Sequence, residues 1–94
     1  MWTIEISKSA NKLLRKAPVE IRDSFDAWKN IIQFQGITGL KAINDYRDHA
    51  LKGDWDGARS SSLNSQWRVI YLVMDKEVKI FILEVTPHDY RKKL

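Results

Sequence analysis

The sequence predicts an α+β fold in which N-terminal helices cover one face of a small antiparallel sheet. Its first half carries apolar residues at helical spacing, whereas its second half has runs of β-forming residues between turn signals. The expected sheet joins an N-terminal strand to a C-terminal three-stranded meander, and its opposite face is partly open. With 94 residues and no cysteine, residues 1–94 are expected to form one domain stabilised by packing rather than by disulfides.

The first part of the chain predicts one strand and three helices. Residues 2–6 alternate apolar and polar side chains, as a strand with one buried face does. Ser9 can cap a helix over residues 9–17, and residues 18–34 favour a longer helix because their apolar side chains recur at spacings of three and four. A short third helix is expected over residues 38–43. The buried stripe of the long helix would consist of Ile21, Phe25, Trp28 and Ile32.

Three strands are expected after a loop over residues 46–57, and two tight turns would join them. Asn at the start of the first turn suits a two-residue hairpin, whereas the second turn lacks glycine and is a weaker signal. The strands would span residues 58–63, 66–74 and 77–85, with turns at 64–65 and 75–76.

Two-residue turns would determine which residues face each other across the meander. Ser61 would then face Arg68, Arg59 would face Ile70, and Arg68 would also face Leu83. Because side chains alternate along a strand, Arg59 and Arg68 would be diagonal neighbours on the open face, within reach of one phosphate. Ile70, Phe81 and Leu83 beside these cations would form an apolar surface of the kind that marks interaction sites. The face toward the helices would hold Trp67, Val69, Tyr71, Val73, Val78, Ile80 and Ile82.

The charge of the chain favours an acidic partner. Its net charge is +4 and its pI is near 9.5, which suits binding to nucleic acid or to an acidic protein. The N-terminus does not resemble a signal peptide, and no apolar run approaches the length of a membrane span. The protein is therefore expected in the cytoplasm, with no membrane partner.

Basic, imidazole and phenol groups at the predicted strand ends suit chemistry on a phosphodiester. A metal-independent ribonuclease needs a base for the ribose 2′-OH, an acid for the leaving 5′-oxygen and cations for the transition state. His49 can serve as base or acid, and Lys52, Arg59 and Arg68 can hold the phosphate. Tyr90 can stack on a base or steer a proton. The sequence contains no metal-binding motif, and we expect neither a metal nor another cofactor.

Each of these residues also has a structural interpretation. A single loop histidine such as His49 is more often a surface residue than a catalyst, and Arg68 can pair with Glu84. Lys52 can belong simply to a turn, and Arg91 lies in a basic tail that solvent can accommodate. The residues alone leave both interpretations open.

Several segments taken together resemble the RelE/ParE toxin superfamily, with the HigB-like toxins as the nearest branch. The resemblance implies a RelE-like fold and a cytosolic toxin of a toxin–antitoxin pair that cuts mRNA in the ribosomal A site, by metal-free attack of the 2′-OH. It also implies a cognate antitoxin protein, often with a helix-turn-helix domain. The segments are His49-Ala50-Leu51-Lys52-Gly53, then Gly57 and Ser60, then Gln66-Trp67-Arg68-Val69-Ile70-Tyr71, and finally Thr86-Pro87-His88-Asp89-Tyr90.

The resemblance also implies roles for particular residues. His49 matches the functional histidine that precedes the Leu-Lys-Gly element of HigB-like toxins, and Arg68 matches a phosphate-contacting arginine. Asp89 and Tyr90 match a C-terminal pair of those toxins, and His88 is a further candidate because relatives carry a histidine near this end.

One departure from the family pattern favours other functions. Many relatives carry arginine within the strand where this chain reads Ser61-Ser62, so the phosphate site is weaker unless Arg59 substitutes. One alternative is a ParE-like toxin that inhibits DNA gyrase without enzymatic activity. The other is a basic binding module that has kept the fold and lost the toxicity.

Overall fold

In the computed structural model, which describes residues 1–87, two helices pack on one face of a five-stranded mixed sheet. This architecture confirms the predicted α+β class. No helix within these residues is both long and apolar enough to cross a lipid bilayer. The elements are β1 (Thr3–Ile6), α1 (Lys8–Lys16), α2 (Val19–Lys41), β2 (His49–Ala50), β3 (Arg59–Ser62), β4 (Arg68–Met74) and β5 (Lys79–Thr86).

The strands lie in the order β1-β5-β4-β3-β2. Pairing is antiparallel from β5 through β2, but β1 lies parallel to β5, with Ile4 opposite Ile80. The prediction of a wholly antiparallel sheet is therefore wrong at β1, where no hairpin constrains the direction of the strand. The two-residue strand β2 was also not predicted, because it lies inside a segment whose composition is typical of a loop.

Ser7, rather than Ser9, caps α1. The Ser7 hydroxyl accepts a hydrogen bond from the Ala10 backbone N–H at 3.1 Å and donates one to the Leu83 carbonyl at 2.9 Å. The cap therefore starts the helix and also fastens it to β5. The helix ends at Lys16 because Ala17 precedes Pro18, and a residue before proline disfavours helical backbone angles.

The two helices predicted after Pro18 are one element, α2, which is broken at Gly36. This residue has φ 67° and ψ −164°, a combination that is essentially restricted to glycine. A side chain would also meet the Trp2 indole, whose Nε1 lies 3.0 Å from the position of a Cβ atom on Gly36. The break lets Trp2 approach α2, and the backbone N–H of Trp2 donates a hydrogen bond to the Gln33 carbonyl at 2.8 Å.

The main core lies between α2 and the helix-facing side of the sheet. Trp28 is at its centre, stacked on Phe25 at 5.7 Å between ring centroids and edge-on to Tyr71 at 5.2 Å. The buried members of this core are Ala10, Phe25, Trp28, Ile32, Leu40, Val69, Tyr71, Ile80, Ile82 and Val85.

A second, smaller core covers part of the opposite face. Ile70 is fully buried there against Leu51 and Ala58, from the segment that joins β2 to β3. Leu83 is half-buried and packs against the same cluster. The prediction that Ile70 would contribute an open apolar surface is therefore wrong, because the loop predicted over residues 46–57 folds back over it.

The register between β3 and β4 differs by one residue from the prediction. Ser62, rather than Ser61, lies opposite Arg68, and Arg59 lies opposite Tyr71. The slip places Arg59 on the helix-facing side with Tyr71, whereas Arg68 points to the other side. Arg59 and Arg68 therefore lie on opposite faces, and the predicted diagonal pair does not form.

The cause of this slip is the turn between the two strands. The Leu63 N–H donates to the Trp67 carbonyl at 2.8 Å, which leaves three residues in the connection instead of two. The Asn64 side chain stabilises it, because its Oδ1 accepts from the backbone N–H groups of Gln66 at 2.8 Å and Trp67 at 2.7 Å.

The connection between β4 and β5 is also longer than predicted, but by an even number of residues. A single helical turn occupies Asp75–Glu77 and Val78 adopts φ 49°, so Met74 pairs with Lys79 rather than with Glu77. A further irregularity lies at Ile70 and Tyr71 of β4. Because a shift of two preserves the side-chain alternation, the predicted helix-facing side of β4 and β5 is correct except at Val78, which is exposed in the turn.

Candidate functional site

The most constrained polar group of the described residues is the carboxylate of Asp48. Its side chain is fully buried and accepts four hydrogen bonds from residues within 1–87. Arg59 donates from Nε at 2.9 Å and from Nη2 at 2.6 Å to Oδ1, forming a two-point ion pair. Ser61 donates its hydroxyl to Oδ2 at 2.6 Å, and the Tyr71 hydroxyl donates to the same oxygen. We call Asp48, Arg59, Ser61 and Tyr71 the carboxylate cluster.

The environment keeps the donors of this cluster protonated. Burial raises the pKa of Tyr71 well above its ordinary value, and the hydrogen bond to Asp48 and its negative charge raise it further, against an opposing effect of Arg59. Burial lowers the pKa of Arg59, but the hydrogen bond and charge of Asp48 outweigh it, and the pKa is raised overall. The cluster therefore holds one anion and one cation together with neutral hydroxyl donors.

The carboxylate cluster changes the interpretation of two predicted site residues. The Arg59 guanidinium is committed to Asp48, and only 17% of its side chain is exposed. Ser61 is fully buried, so it occupies a site where an arginine side chain would have no room without rearrangement. Nothing in the sequence identifies Asp48 as a partner of these residues, because the cluster forms only with the register that the longer turn imposes.

His49 lies next to Asp48 and projects from the opposite side of the sheet. It pairs with Ser60, which in turn pairs with Ile70, so these three side chains share the face away from the helices. The imidazole Nδ1 lies 2.7 Å from the carbonyl oxygen of Arg47. A carbonyl oxygen only accepts, so Nδ1 carries a hydrogen, and in the singly protonated ring Nε2 presents its lone pair. Because His49 is exposed, Nε2 is available to a substrate.

Arg68 lies on the same face as His49 and lines a polar pocket. Its strand neighbours are Ser62 on β3 and Thr86, the end of β5. Within residues 1–87 the guanidinium groups of Arg68 and Arg47 form no hydrogen bond or ion pair, so both can bind an anion. The pocket has a volume of about 380 Å³ and is lined by Asp45, Arg47, Ser62, Leu63, Asn64, Ser65 and Arg68. We call it the two-arginine pocket.

The remaining predicted site residues are placed less tightly or are not described. Lys52 is exposed just beyond the end of β2, in the segment that begins with His49. The predictions for His88, Asp89, Tyr90 and Arg91 fall outside the described residues. Within residues 1–87, no group of three or more His, Cys, Asp or Glu side chains is arranged to hold a metal ion. The structure thus brings His49, Arg47 and Arg68 to one face and places Arg59 on the other.

Comparison with known proteins identifies the fold. No protein-family model and no curated protein sequence matches the chain. Solved structures do match: the RelE–RelB complex of Pyrococcus horikoshii OT3 has a TM-score of 0.74 at 24% identity, with 95% of this chain and 97% of that chain covered.

Two further toxin–antitoxin structures give similar values. The YoeB–YefM complex of Staphylococcus aureus matches with a TM-score of 0.71 at 20% identity, covering 95% of this chain and 99% of that chain. The RelBE complex of E. coli matches with a TM-score of 0.70 at 17% identity, covering 95% and 99%. The chain therefore has the fold of the RelE/ParE toxin superfamily.

Proposed function

We propose that the protein is the toxin of a toxin–antitoxin pair and that it cuts mRNA on the ribosome. The observation that carries this proposal is the exposed Nε2 of His49 on the same sheet face as Arg68, a wall of the two-arginine pocket. This arrangement combines a proton acceptor with cations that form no ion pair within residues 1–87. The fold shared with RelE and YoeB supports the same conclusion.

The proposed reaction is attack of a ribose 2′-OH on the adjacent phosphate, without a metal ion. His49 Nε2 takes the hydroxyl proton, while Arg68 and Arg47 stabilise the negative charge that develops on the phosphate oxygens. Lys52 adds positive charge along the path of the RNA backbone. The Arg59 guanidinium takes no direct part, since Asp48 already neutralises it.

We assign the C-terminal candidates to the leaving-group side of the same reaction. Thr86, at the end of β5, is paired with Arg68, so β5 ends beside the phosphate site. In this assignment Tyr90 stacks on a base and His88 or Asp89 exchanges a proton with the leaving 5′-oxygen. Arg91 contributes a further backbone contact.

The proposed partners are a cognate antitoxin and mRNA in the ribosomal A site of the cytoplasm. The similar RelE and YoeB structures are complexes with RelB and YefM. By analogy we propose a small antitoxin that covers the sheet face holding His49, Arg47 and Arg68, and the sequence resemblance suggests the helix-turn-helix type. Assignment to the HigB-like branch rests on the sequence resemblance at His49 and the C-terminal segment.

Mapping mRNA 5′ ends in a translating extract tests the proposal. The wild type should cut at fixed positions within codons, and His49→Gln should lower the cleavage rate by about 10²–10⁴-fold, the usual contribution of a general acid or base. Ribosome binding by His49→Gln should be unchanged. Tyr90→Ala and His88→Ala tell whether the C-terminal segment contributes. Wild-type cleavage by His49→Gln, with a loss in His88→Ala, would place the base in that segment instead.

Arg68→Ala tests the phosphate site separately. For single-stranded RNA the slope of log K against log salt is roughly −0.7 per neutralised phosphate, so this variant should reduce the slope by about one such unit. Arg22→Ala is the matched control, because Arg22 is exposed on α2 and the helix packs on the other side of the sheet. An unchanged slope in a folded Arg68→Ala protein would show that Arg68 does not contact phosphate.

The loss of two expected phosphate ligands favours one alternative, a ParE-like inhibitor of DNA gyrase. Arg59 is held by Asp48, and the strand reads Ser61-Ser62 where many relatives carry arginine, so the phosphate site relies on Arg47 and Arg68. An intact message combined with failing DNA supercoiling would establish this alternative. If neither activity is present, the chain is a binding module.

A further inference from the structure

We infer that Asp48 is a positioning residue: through the carboxylate cluster it holds His49 in the orientation and tautomer in which Nε2 faces the RNA. The catalytic consequence rests on the proposed function. The effect of Asp48 on the His49 imidazole is independent of the proposed function, and it can be measured without an RNA-cleavage assay.

The need for such a device follows from the strand that carries His49. Within residues 1–87, β2 contains only His49 and Ala50, lies at the edge of the sheet, and pairs only with β3. Both residues are exposed, so little apolar burial holds this strand in place. Backbone pairing over two residues provides little resistance to fraying.

Asp48 provides the missing attachment. The residue immediately before β2 sends a fully buried carboxylate across the sheet to Arg59 and Ser61 on β3 and to Tyr71 on β4. Bonds of this kind, between an ion and buried donors, are stronger than bonds between neutral groups. The start of β2 is therefore fixed to two neighbouring strands rather than to one.

This attachment also determines where the imidazole points. Because successive side chains in a strand alternate, an Asp48 side chain held on the helix-facing side directs His49 to the opposite face. The acceptor of the His49 Nδ1–H is the carbonyl of Arg47, which belongs to the peptide unit that ends at the Asp48 nitrogen. Arg47 has φ 48°, a left-handed conformation that turns this unit toward the ring. Fixing Asp48 thus fixes both the ring and the acceptor that selects its tautomer.

The inference accounts for the serine at position 61. An arginine there would compete with Arg59 for the carboxylate and would lack space, since Ser61 is fully buried. Ser61 belongs to the Ser61-Ser62 segment at which many RelE-like toxins carry arginine, and here it supplies a small hydroxyl donor to Asp48. The carboxylate cluster is therefore a support for His49 and not a second phosphate site.

The first test is the ring tautomer of His49, measured by ¹⁵N NMR at about pH 8.5, where an ordinary imidazole is neutral. In the wild type Nδ1 should carry the proton, and His49→Gln identifies the signals. Asp48→Asn should give a mixture of tautomers, because the amide cannot accept from Arg59, Ser61 and Tyr71 together. Tyr71→Phe, a milder change, should shift the mixture less. An unchanged tautomer in both variants overturns the inference.

The second test is a double-mutant cycle in the cleavage assay. Asp48→Asn should lower the cleavage rate by about 10²-fold, the scale of a misplaced catalytic group, and leave ribosome affinity unchanged. Combined with His49→Gln it should cause no further loss, because both changes act through the same ring. A full additional loss in the double variant would show that Asp48 acts independently of His49.

Stability must be separated from positioning. Ile32→Val removes one methylene from the buried surface of α2 without removing any hydrogen bond of the carboxylate cluster, and serves as the destabilised control. If Ile32→Val and Tyr71→Phe have the same melting temperature, Ile32→Val should still cut at the wild-type rate, whereas Tyr71→Phe should cut more slowly. Equal losses in both variants would reduce Asp48 to a stabilising role. If the wild type does not cut RNA at all, the proposed function fails and the tautomer measurement alone decides the inference.

Discussion

Tyr71→Phe gives a quantitative test of the carboxylate cluster through stability. The substitution keeps the ring between Trp28 and the sheet and removes only the hydroxyl that donates to Asp48. A hydrogen bond to a charged, buried acceptor contributes about 2 kcal/mol. The free energy of unfolding at about pH 7.5 should therefore fall by about 2 kcal/mol relative to the wild type.

The same substitution should matter less at high pH. The pKa of Tyr71 is raised in the folded protein. The contribution of its hydroxyl to the free energy of unfolding is therefore complete below the ordinary tyrosine pKa of about 10 and is lost as the pH rises above that value. At about pH 11 the unfolded tyrosine is one unit beyond its midpoint, which lowers wild-type stability by about 1.4 kcal/mol. Tyr71→Phe does not undergo this loss, so the difference in free energy of unfolding between the wild type and the variant should shrink from about 2 to about 0.6 kcal/mol.

Urea unfolding followed by tryptophan fluorescence at the two pH values measures both quantities. Tyr46→Phe is the control at neutral pH, because Tyr46 is half-buried and does not bond to Asp48; burial raises the pKa of Tyr46 as well, so it does not serve at high pH. Lysine and arginine titration affects all three proteins alike and cancels in the comparison. A deficit that stays constant between the two pH values, or one below about 0.5 kcal/mol at neutral pH, would refute the assigned hydrogen bond.

Two further substitutions test local structure. Gly36→Ala should destabilise the protein by about 1–3 kcal/mol in thermal unfolding, because its backbone angles are reserved for glycine and a Cβ would lie 3.0 Å from Trp2. Gly53→Ala, also at positive φ but with nothing within 4 Å, should cost less; an equal cost would show that the Trp2 contact is unimportant. Asn64→Ala should cost about 1 kcal/mol in the same assay, since its side chain accepts from the Trp67 N–H at 2.7 Å; a neutral result would mean that the turn holds its three-residue form without it.

The parts of the fold that were predictable depend on local periodicity. The stripe around Trp28 and the alternation along β4 are set by neighbouring residues, and both are correct in the structure. The break at Gly36 was visible as a helix interruption, although its closeness to Trp2 depends on tertiary packing. Errors arose where a side chain or a left-handed residue, rather than the periodicity, determined the length of a connection, as at Asn64 and Val78.

The candidate site was less predictable for the same reason. A one-residue change in the β3–β4 turn exchanges the faces of β3, which moved Arg59 from a presumed phosphate ligand to a partner of Asp48. His49 and Arg68 share a face in the structure, whereas the sequence placed His49 only in a loop before the sheet. Asp48 could not be found, since no sequence spacing links it to residues on two other strands. Only the tertiary register brings them together.

The position of β5 in the sheet has a consequence for the order of assembly. β5 is synthesised after the other four strands, yet it lies between β1 and β4 and is the only partner of β1 within the described residues. Until residues 79–86 have left the ribosome, the N-terminal strand has no edge to join, and the Ser7 cap of α1 lacks the Leu83 carbonyl. Contacts of such long sequence separation form slowly. A nascent chain therefore remains without its complete sheet, and Arg68 without its neighbour Thr86, until almost all of these residues are available.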